Sequence, residues 1–312
     1  MSKKQFRFGV TSIGAPTAKM WKEKVTRTEE LGYSTLLIPD HFIEQIATIP
    51  ALMSAASLTS SLRVGSIVCS NDFRHPILLA KEAATIDMLS GGRFELGIGA
   101  GWLKSEYDAI GIPFDTPGTR VARLEEAVQV IKSYFKGDQV IFEGKYYQIN
   151  SEKGLESIPV PVQKPHPPIL IGGGGKRMLT LAAREADIIG LALRTSALGT
   201  GPDPADIATT INQKIEWIKQ AAGNRYNDLE IHIQTWAVMI TDDRESSAKL
   251  LGKQFPLPPE ILLNLPYLLI GSADEIIEQI EKYRESYGIS YYSIFEQYQE
   301  DFAPVVAYLS SK

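Results

Sequence analysis

The sequence predicts the α/β class, and within it a single (β/α)8 TIM barrel with insertions after strand 4 and strand 7. Short apolar runs recur along the 312 residues, each stopping at a cluster of glycine, polar or aromatic residues. Pro39-Asp40-His41-Phe42 and Gly172-Gly173-Gly174-Gly175 are the sharpest stops. Helical patterning follows most of them, and no shift in composition divides the chain, so residues 1–312 read as one domain. In such a fold the carboxyl ends of the strands share one rim, where residues distant in sequence converge.

The elements are read in order. Phe6 to Thr11 is the first strand, and Pro16 to Leu31 a helix that Gly32 ends. Ser34 to Ile38 is an apolar run suited to a parallel strand buried on both faces. Leu62 to Val68 with Ile77 to Leu89 forms the third unit, and Phe94 to Ile98 with Arg120 to Phe135 the fourth. Val140 to Tyr147 reads as a hairpin turning at Glu143-Gly144, an insertion outside the alternation. The proline-rich stretch from Pro159 to Pro168 leads into the strand Ile169-Leu170-Ile171. Ile188 to Leu193 with a helix from Pro204 to Ala222 follows, then a seventh strand from Ile231 to Ile240 and a helix from near Asp242. Ser272 is placed as the N-cap of a helix running to Tyr287, Gly288 ends it, and Tyr291 to Phe295 is the last strand. The stretches Trp102 to Thr119 and Phe255 to Tyr267 are expected to roof the pocket.

Composition excludes several classes. The net charge is -5 and the 32 basic residues are dispersed, which is no footprint of a nucleic-acid binder. No apolar run approaches 18 residues, so no membrane span is expected. The basic start lacks the apolar core of a signal peptide. A single cysteine, Cys69, excludes an internal disulfide or a multi-cysteine metal site and suits a reducing cytoplasm. Without a His-x-His pair or a His-Glu-x-x-His motif, no metal is expected.

The candidate chemistry lies at the stops. His41, just beyond the second strand, is read either as a proton donor or acceptor on the rim or as a surface loop histidine. Asp40 beside it could orient the imidazole or serve as a turn residue. Gly172 to Gly175, with Lys176-Arg177 opening a helix, suits a phosphate, since glycine admits close approach and helix amides point at the anion; the plain reading is a tight turn. Gly97-Ile98-Gly99-Ala100-Gly101 lacks the spacing of a dinucleotide fingerprint but permits close packing of a flat ring against backbone. The polar stop Cys69-Ser70-Asn71-Asp72 could hydrogen-bond a heterocycle, with Cys69 itself read as a buried small hydrophobe. His75, His166 and His232 read as structural.

At these stops the chain resembles the luciferase-like monooxygenase superfamily, whose barrels bind flavin mononucleotide or the deazaflavin coenzyme F420. The resemblance rests on Leu37-Ile38-Pro39-Asp40-His41-Phe42, Val64-Gly65-Ser66-Ile67-Val68 with Arg74-His75-Pro76, and Ala84 to Arg93. It continues through Gly97 to Trp102 with Glu106-Tyr107, Pro168 to Gly173, and Leu181 to Asp187. The Ser-Ile-Val-Cys stop and Arg-His-Pro are most similar to the F420-dependent oxidoreductases. The resemblance implies F420 as first choice or FMN as cofactor, a small organic substrate, and a homodimer. It also implies a non-proline cis peptide at Ile67–Val68, His41 near the reactive ring face, and Ser70 with Gly172 to Gly174 meeting ring and phosphate. One departure stands out: related deazaflavin sugar-phosphate dehydrogenases carry a catalytic glutamate where this chain has Trp102. Glu106, one turn on, takes that place only if its loop folds inward. A flavin-binding barrel without turnover and a Schiff-base aldolase-type barrel are the alternatives, and no strand stop offers the lysine that the latter needs.

Overall fold

A computed structural model describes residues 4–137, 139–153, 159–194, 206, 210–253, 255 and 257–312. Eight parallel strands close on themselves: β1 (Arg7–Thr11), β2 (Thr35–Ile38), β3 (Arg63–Ser66), β4 (Phe94–Gly99), β5 (Ile169–Gly173), β6 (Ile188–Leu191), β7 (Glu230–Gln234) and β8 (Ile289–Phe295). Each pairs with its neighbours in chain order, and β8 returns to β1 in the register Arg7↔Tyr291 to Thr11↔Phe295.

The two-residue side-chain period of a strand divides the molecule into two interiors. Phe8, Val10, Leu36, Ile38, Val64, Leu96, Ile98, Ile171, Ile231 and Ile233 belong to the main core that joins the barrel to its helices. Leu37, Leu170, Ile188 and Tyr291 form a separate cluster inside the barrel, with Ile67 and Val68 packed on it. At the amino-terminal end Glu95 takes Arg63 Nε at 2.5 Å and also pairs with Arg7, which reaches Glu230 at 2.8 Å.

Several elements depart from the sequence expectation for identifiable reasons. The third strand stops at Ser66, because the Ser66 hydroxyl donates to the Gly97 carbonyl (2.7 Å) and accepts its amide (3.0 Å) in place of the ladder. Pairing with β4 resumes only at Cys69↔Ile98 and Ser70↔Gly99. The seventh strand likewise ends at Gln234: Trp236 donates its amide to the Tyr267 carbonyl (2.7 Å), and Ala237–Ile240 pairs with Leu268–Gly271 in a separate two-stranded parallel sheet. In the hairpin, Ile141–Glu143 pairs with Gln148–Asn150 across a four-residue loop. The Glu126 carboxylate holds that loop wide by accepting the amides of Lys145, Tyr146 and Tyr147.

Helices Thr48–Leu58, Lys104–Ile110 and Gln299–Leu309 add to the elements that the sequence predicts. The helix Ala273–Tyr287 has the expected ends: Ser272 and Glu275 form a reciprocal capping box and Gly288 is left-handed at φ 73°. Of the expected helix from Pro204 to Ala222, Ile211–Ala222 is helical, while 204, 205 and 207–209 lie outside the described residues. Among the described residues no helix is long and apolar enough to cross a membrane, and no group of histidine, cysteine, aspartate and glutamate could hold a metal.

Candidate active site

The rim gathers the stops of β2, β3, β4 and β5. His41 leaves β2, and its Nδ1 lies 3.0 and 3.1 Å from the two Glu106 carboxylate oxygens. Glu106 sits in the first turn of Lys104–Ile110, where the helix dipole favours an acid, and also accepts the Phe42 amide at 2.7 Å. The insertion after β4 therefore folds inward. A carboxylate that accepts from Nδ1–H fixes the tautomer and leaves the Nε2 lone pair for other work. Trp102 stands edge-on to the imidazole, ring centroids 5.7 Å apart.

Asp40 does not contact the imidazole as adjacency suggested. Its carboxylate is gripped by the Arg74 guanidinium (3.0 Å to Oδ1) and accepts the Ser70 amide (3.0 Å) and the Thr48 hydroxyl (3.1 Å). A two-pronged charged donor outbids a neutral ring for a carboxylate. Asp40 thereby ties the ends of β2 and β3 together. Ser70 is buried, its hydroxyl 3.4 Å from the Tyr107 hydroxyl, which donates to Asp72 at 3.1 Å. Asp72 in turn pairs with Arg123 at 2.9 Å.

The Ile67–Val68 peptide is cis, at the bond that the resemblance implied. Val68 lies over the inward glycines of β4 and β5: a Cβ on Gly97, Gly99 or Gly172 would come 3.1, 2.7 and 3.6 Å from its methyls. The glycine run of β4 thus packs against the protein's own side chains. At Gly101, φ is 72° and a Cβ would fall 1.8 Å from the Tyr107 hydroxyl, so this position requires glycine.

At β5, Gly172 and Gly173 end the strand and Gly175 is the N-cap of Lys176–Glu185, and among the described residues no side chain bonds the helix's first amides. A Cβ on Gly174 would strike the backbone of Ala192 to Arg194 at 2.3 to 2.5 Å. That backbone is itself anchored: the Lys214 ammonium bonds the Ala192 carbonyl (2.9 Å) and Asp206 (2.5 Å), and Asp206 accepts the Arg194 amide (2.6 Å). Open helix amides beside close-approach glycines suit a phosphate. Lys176 does not point its charge at them: its ammonium lies 5.9 Å above the Trp217 ring, and with Arg177 it lines an outer cleft reaching Arg184.

The other sequence candidates resolve as structure. His75 caps Pro76–Leu89, accepting the Ile77 amide on Nδ1 (3.3 Å). His166 Nδ1 meets the Pro167 carbonyl (2.9 Å). His232 is buried against Ser293 (2.8 Å), and burial pushes its pKa down to about 3. Burial pushes the Cys69 thiol up to about 12, so it is no nucleophile.

Gly175→Asp tests the phosphate reading. Gly175 has ordinary extended angles (φ -82°, ψ 151°), and among the described residues its Cβ would meet the Arg194 side chain at ordinary van der Waals distance, Cδ at 3.5 Å and Cγ at 3.9 Å. Aspartate is a favoured N-cap, so the fold should hold or gain slightly while a bound phosphate is repelled. Equal affinity for a phosphorylated cofactor in wild type and variant, with the melting temperature unchanged, would mark the loop as a turn only. Gly173 is unsuitable for this test, because a Cβ there would strike Met178 Cγ at 2.3 Å.

Comparison with known proteins fits this arrangement. Over 148 residues, 47% of the chain and 39% of the relative, it is 33% identical to an FMNH(2)-dependent dimethylsulfone monooxygenase of Pseudomonas putida. Over 176 residues, 53% of the chain and 50% of the relative, it is 30% identical to an F420-dependent glucose-6-phosphate dehydrogenase of Amycolatopsis mediterranei. The matches thus span half or less of the length of these two relatives. The solved coenzyme F420 dependent tetrahydromethanopterin reductase from Methanopyrus kandleri superimposes with a TM-score of 0.73 at 19% identity, covering 98% of both chains, and shares the fold. A family model described as luciferase-like monooxygenase matches residues 5–255, so the chain belongs to that family.

Proposed function

We propose that this chain is an oxidoreductase of the deazaflavin-dependent kind, exchanging a hydride between coenzyme F420 and a small organic molecule. The observation that carries this reading is the His41–Glu106 contact on the rim, a histidine held in one tautomer by a buried acid. Such a pair is what proton transfer to or from a hydroxyl or carbonyl oxygen requires.

The residues present fit a flavin-type cofactor. Ile67 and Val68 would support the ring system, and the Gly172–Gly174 backbone with the first amides of Lys176–Glu185 would hold the phosphate. When bound, a deazaflavin accepts or donates a hydride at a ring carbon and reacts poorly with oxygen. His41 takes the substrate proton on Nε2 or returns it, Glu106 stabilises the imidazolium formed, and Trp102 restricts water on the open side of the ring. Asp40 is a positioning residue that fixes the β2 and β3 stops through Arg74 and Ser70.

FMN-dependent monooxygenation is the second reading, supported by the sequence match to the dimethylsulfone monooxygenase. We attach to both readings a homodimer, from the resemblance, and a cytoplasmic location, from the single buried cysteine. Titrating the protein with F420, FMN and NADP while following absorbance and fluorescence distinguishes them. Binding of F420 is expected. Binding of FMN alone, with oxygen consumed when it is reduced, selects the second reading, and tight NADP binding with neither of the others overturns both.

A further inference from the structure

The surroundings of His41 carry information about the substrate. Its own loop exposes two large apolar side chains, Phe42 at 58% and Ile43 at 55%, and Trp102 across from it is 37% exposed. Phe42 begins an aromatic series through Phe73 (centroids 5.1 Å), Tyr107 (5.2 Å) and Phe114 (4.9 Å). Charge is balanced on this side. Arg74 holds Asp40, Arg123 holds Asp72 and Asp115, Lys24 holds Glu296 (2.7 Å), and Lys104 holds Asp108 (2.5 Å). The Arg120 guanidinium carbon lies over the Phe114 ring, 3.9 Å from its centre. In sequence, the stretch 257–267 contains no lysine or arginine, and 102–119 contains only Lys104.

We infer that the substrate of this site is an uncharged molecule with a bulky apolar flank, seated on Phe42, Ile43 and Trp102, and that phosphorylated or carboxylated molecules are excluded. The inference rests on the proposed role of His41. Apolar side chains that stay exposed beside a proton-transferring group gain by covering an apolar ligand. An anion brought beside His41 would lose hydration and meet, among the described residues, cations held by carboxylates and a buried Arg120 held by the Asp115 carbonyl and the Phe114 ring, together with Glu44 on the same loop. The site thus differs from one built for a sugar phosphate. The glycine stop Gly172 to Gly175 suits an anion, and the proposed function assigns it to the cofactor's phosphate.

The test uses a matched pair of probes. The protein, saturated with whichever of F420 or FMN it binds, is titrated calorimetrically with 1-(2-naphthyl)ethanol, 2-naphthoate and glucose 6-phosphate. The neutral alcohol should bind roughly tenfold or more tightly than naphthoate, the scale on which a pocket rejects a group it leaves unpaired, and glucose 6-phosphate should not bind. Trp102→Ala and Phe42→Ser should each weaken the alcohol several-fold. Ile43→Lys should reverse the preference by supplying a cation beside His41. Tighter binding of naphthoate or glucose 6-phosphate to the wild type, binding of none of the three, or an alcohol affinity untouched by both truncations overturns the inference. Because cofactor binding is measured first, its absence counts against the oxidoreductase reading, whereas a wrong probe preference with cofactor bound counts against the substrate class alone.

Discussion

Replacing His41 with alanine is expected to slow turnover by about 100-fold or more, the usual cost of losing a positioned acid or base, with a smaller effect on cofactor affinity. The imidazole is half-buried and touches Glu106 and Trp102, and these contacts orient it without bearing on the core. Stability should therefore change little. Glu106→Gln provides the companion measurement: the amide can turn its N–H toward Nδ1 and favour the opposite tautomer, removing the lone pair from Nε2. It should also slow the reaction while leaving cofactor binding intact. Single-turnover reduction or reoxidation of bound cofactor separates the steps. Equal rates for wild type and His41→Ala at saturating cofactor would remove the histidine from the mechanism.

What the sequence disclosed about this site, and what it withheld, follows from how far apart the interacting residues lie. His41 could be placed on the rim because a buried parallel strand announces its own end, and the apolar run from Leu36 to Ile38 stops three residues before it. Glu106 entered only through the resemblance and on the condition that its loop folds inward, because the contact spans 65 residues and depends on how that loop folds. Its only local signal is an acid in the first turn of a short helix. For Asp40 the local signal misled: adjacency suggested the imidazole, while the carboxylate went to Arg74, 34 residues away and charged.

The same division runs through the fold. Ala273–Tyr287 was legible at both ends because its capping box and terminal glycine are written in adjacent residues. Thr48–Leu58 was not: it starts without a side-chain cap and holds Pro50 in its first turn, which a helix tolerates but which reads as a break. The run from Ile231 to Ile240 looks like one strand since both parts are apolar. Only tertiary pairing, Trp236 with Tyr267, shows that its second half leaves the barrel.

Glu95→Gln is expected to cost about 3 to 5 kcal/mol of stability at neutral pH, the range for removing one partner of a buried ion pair. Glu95 is buried at the amino-terminal end of the barrel between Arg7 and Arg63. Burial alone would raise its pKa, but the two guanidiniums more than offset this and hold it below the usual carboxylate range. The amide keeps the shape and loses the charge. Arg7 retains Glu230 at 2.8 Å, whereas no other carboxylate is found against Arg63 among the described residues, so most of the loss falls on Arg63. A carboxylate whose folded pKa is depressed stabilises fully above its unfolded value, and that stability is lost as pH falls through the folded value. The gap between wild type and variant should therefore be widest near neutrality and narrow in acid. His232 adds acid sensitivity to both proteins by the parallel route: its folded pKa of about 3 against an ordinary 6.5 means that stability declines as pH drops through that interval. Urea unfolding of both proteins at pH 7 and pH 4 measures these effects. A deficit below about 1 kcal/mol at pH 7, the scale of an exposed pair, would mean that the cluster is solvated and does not hold the base of the barrel.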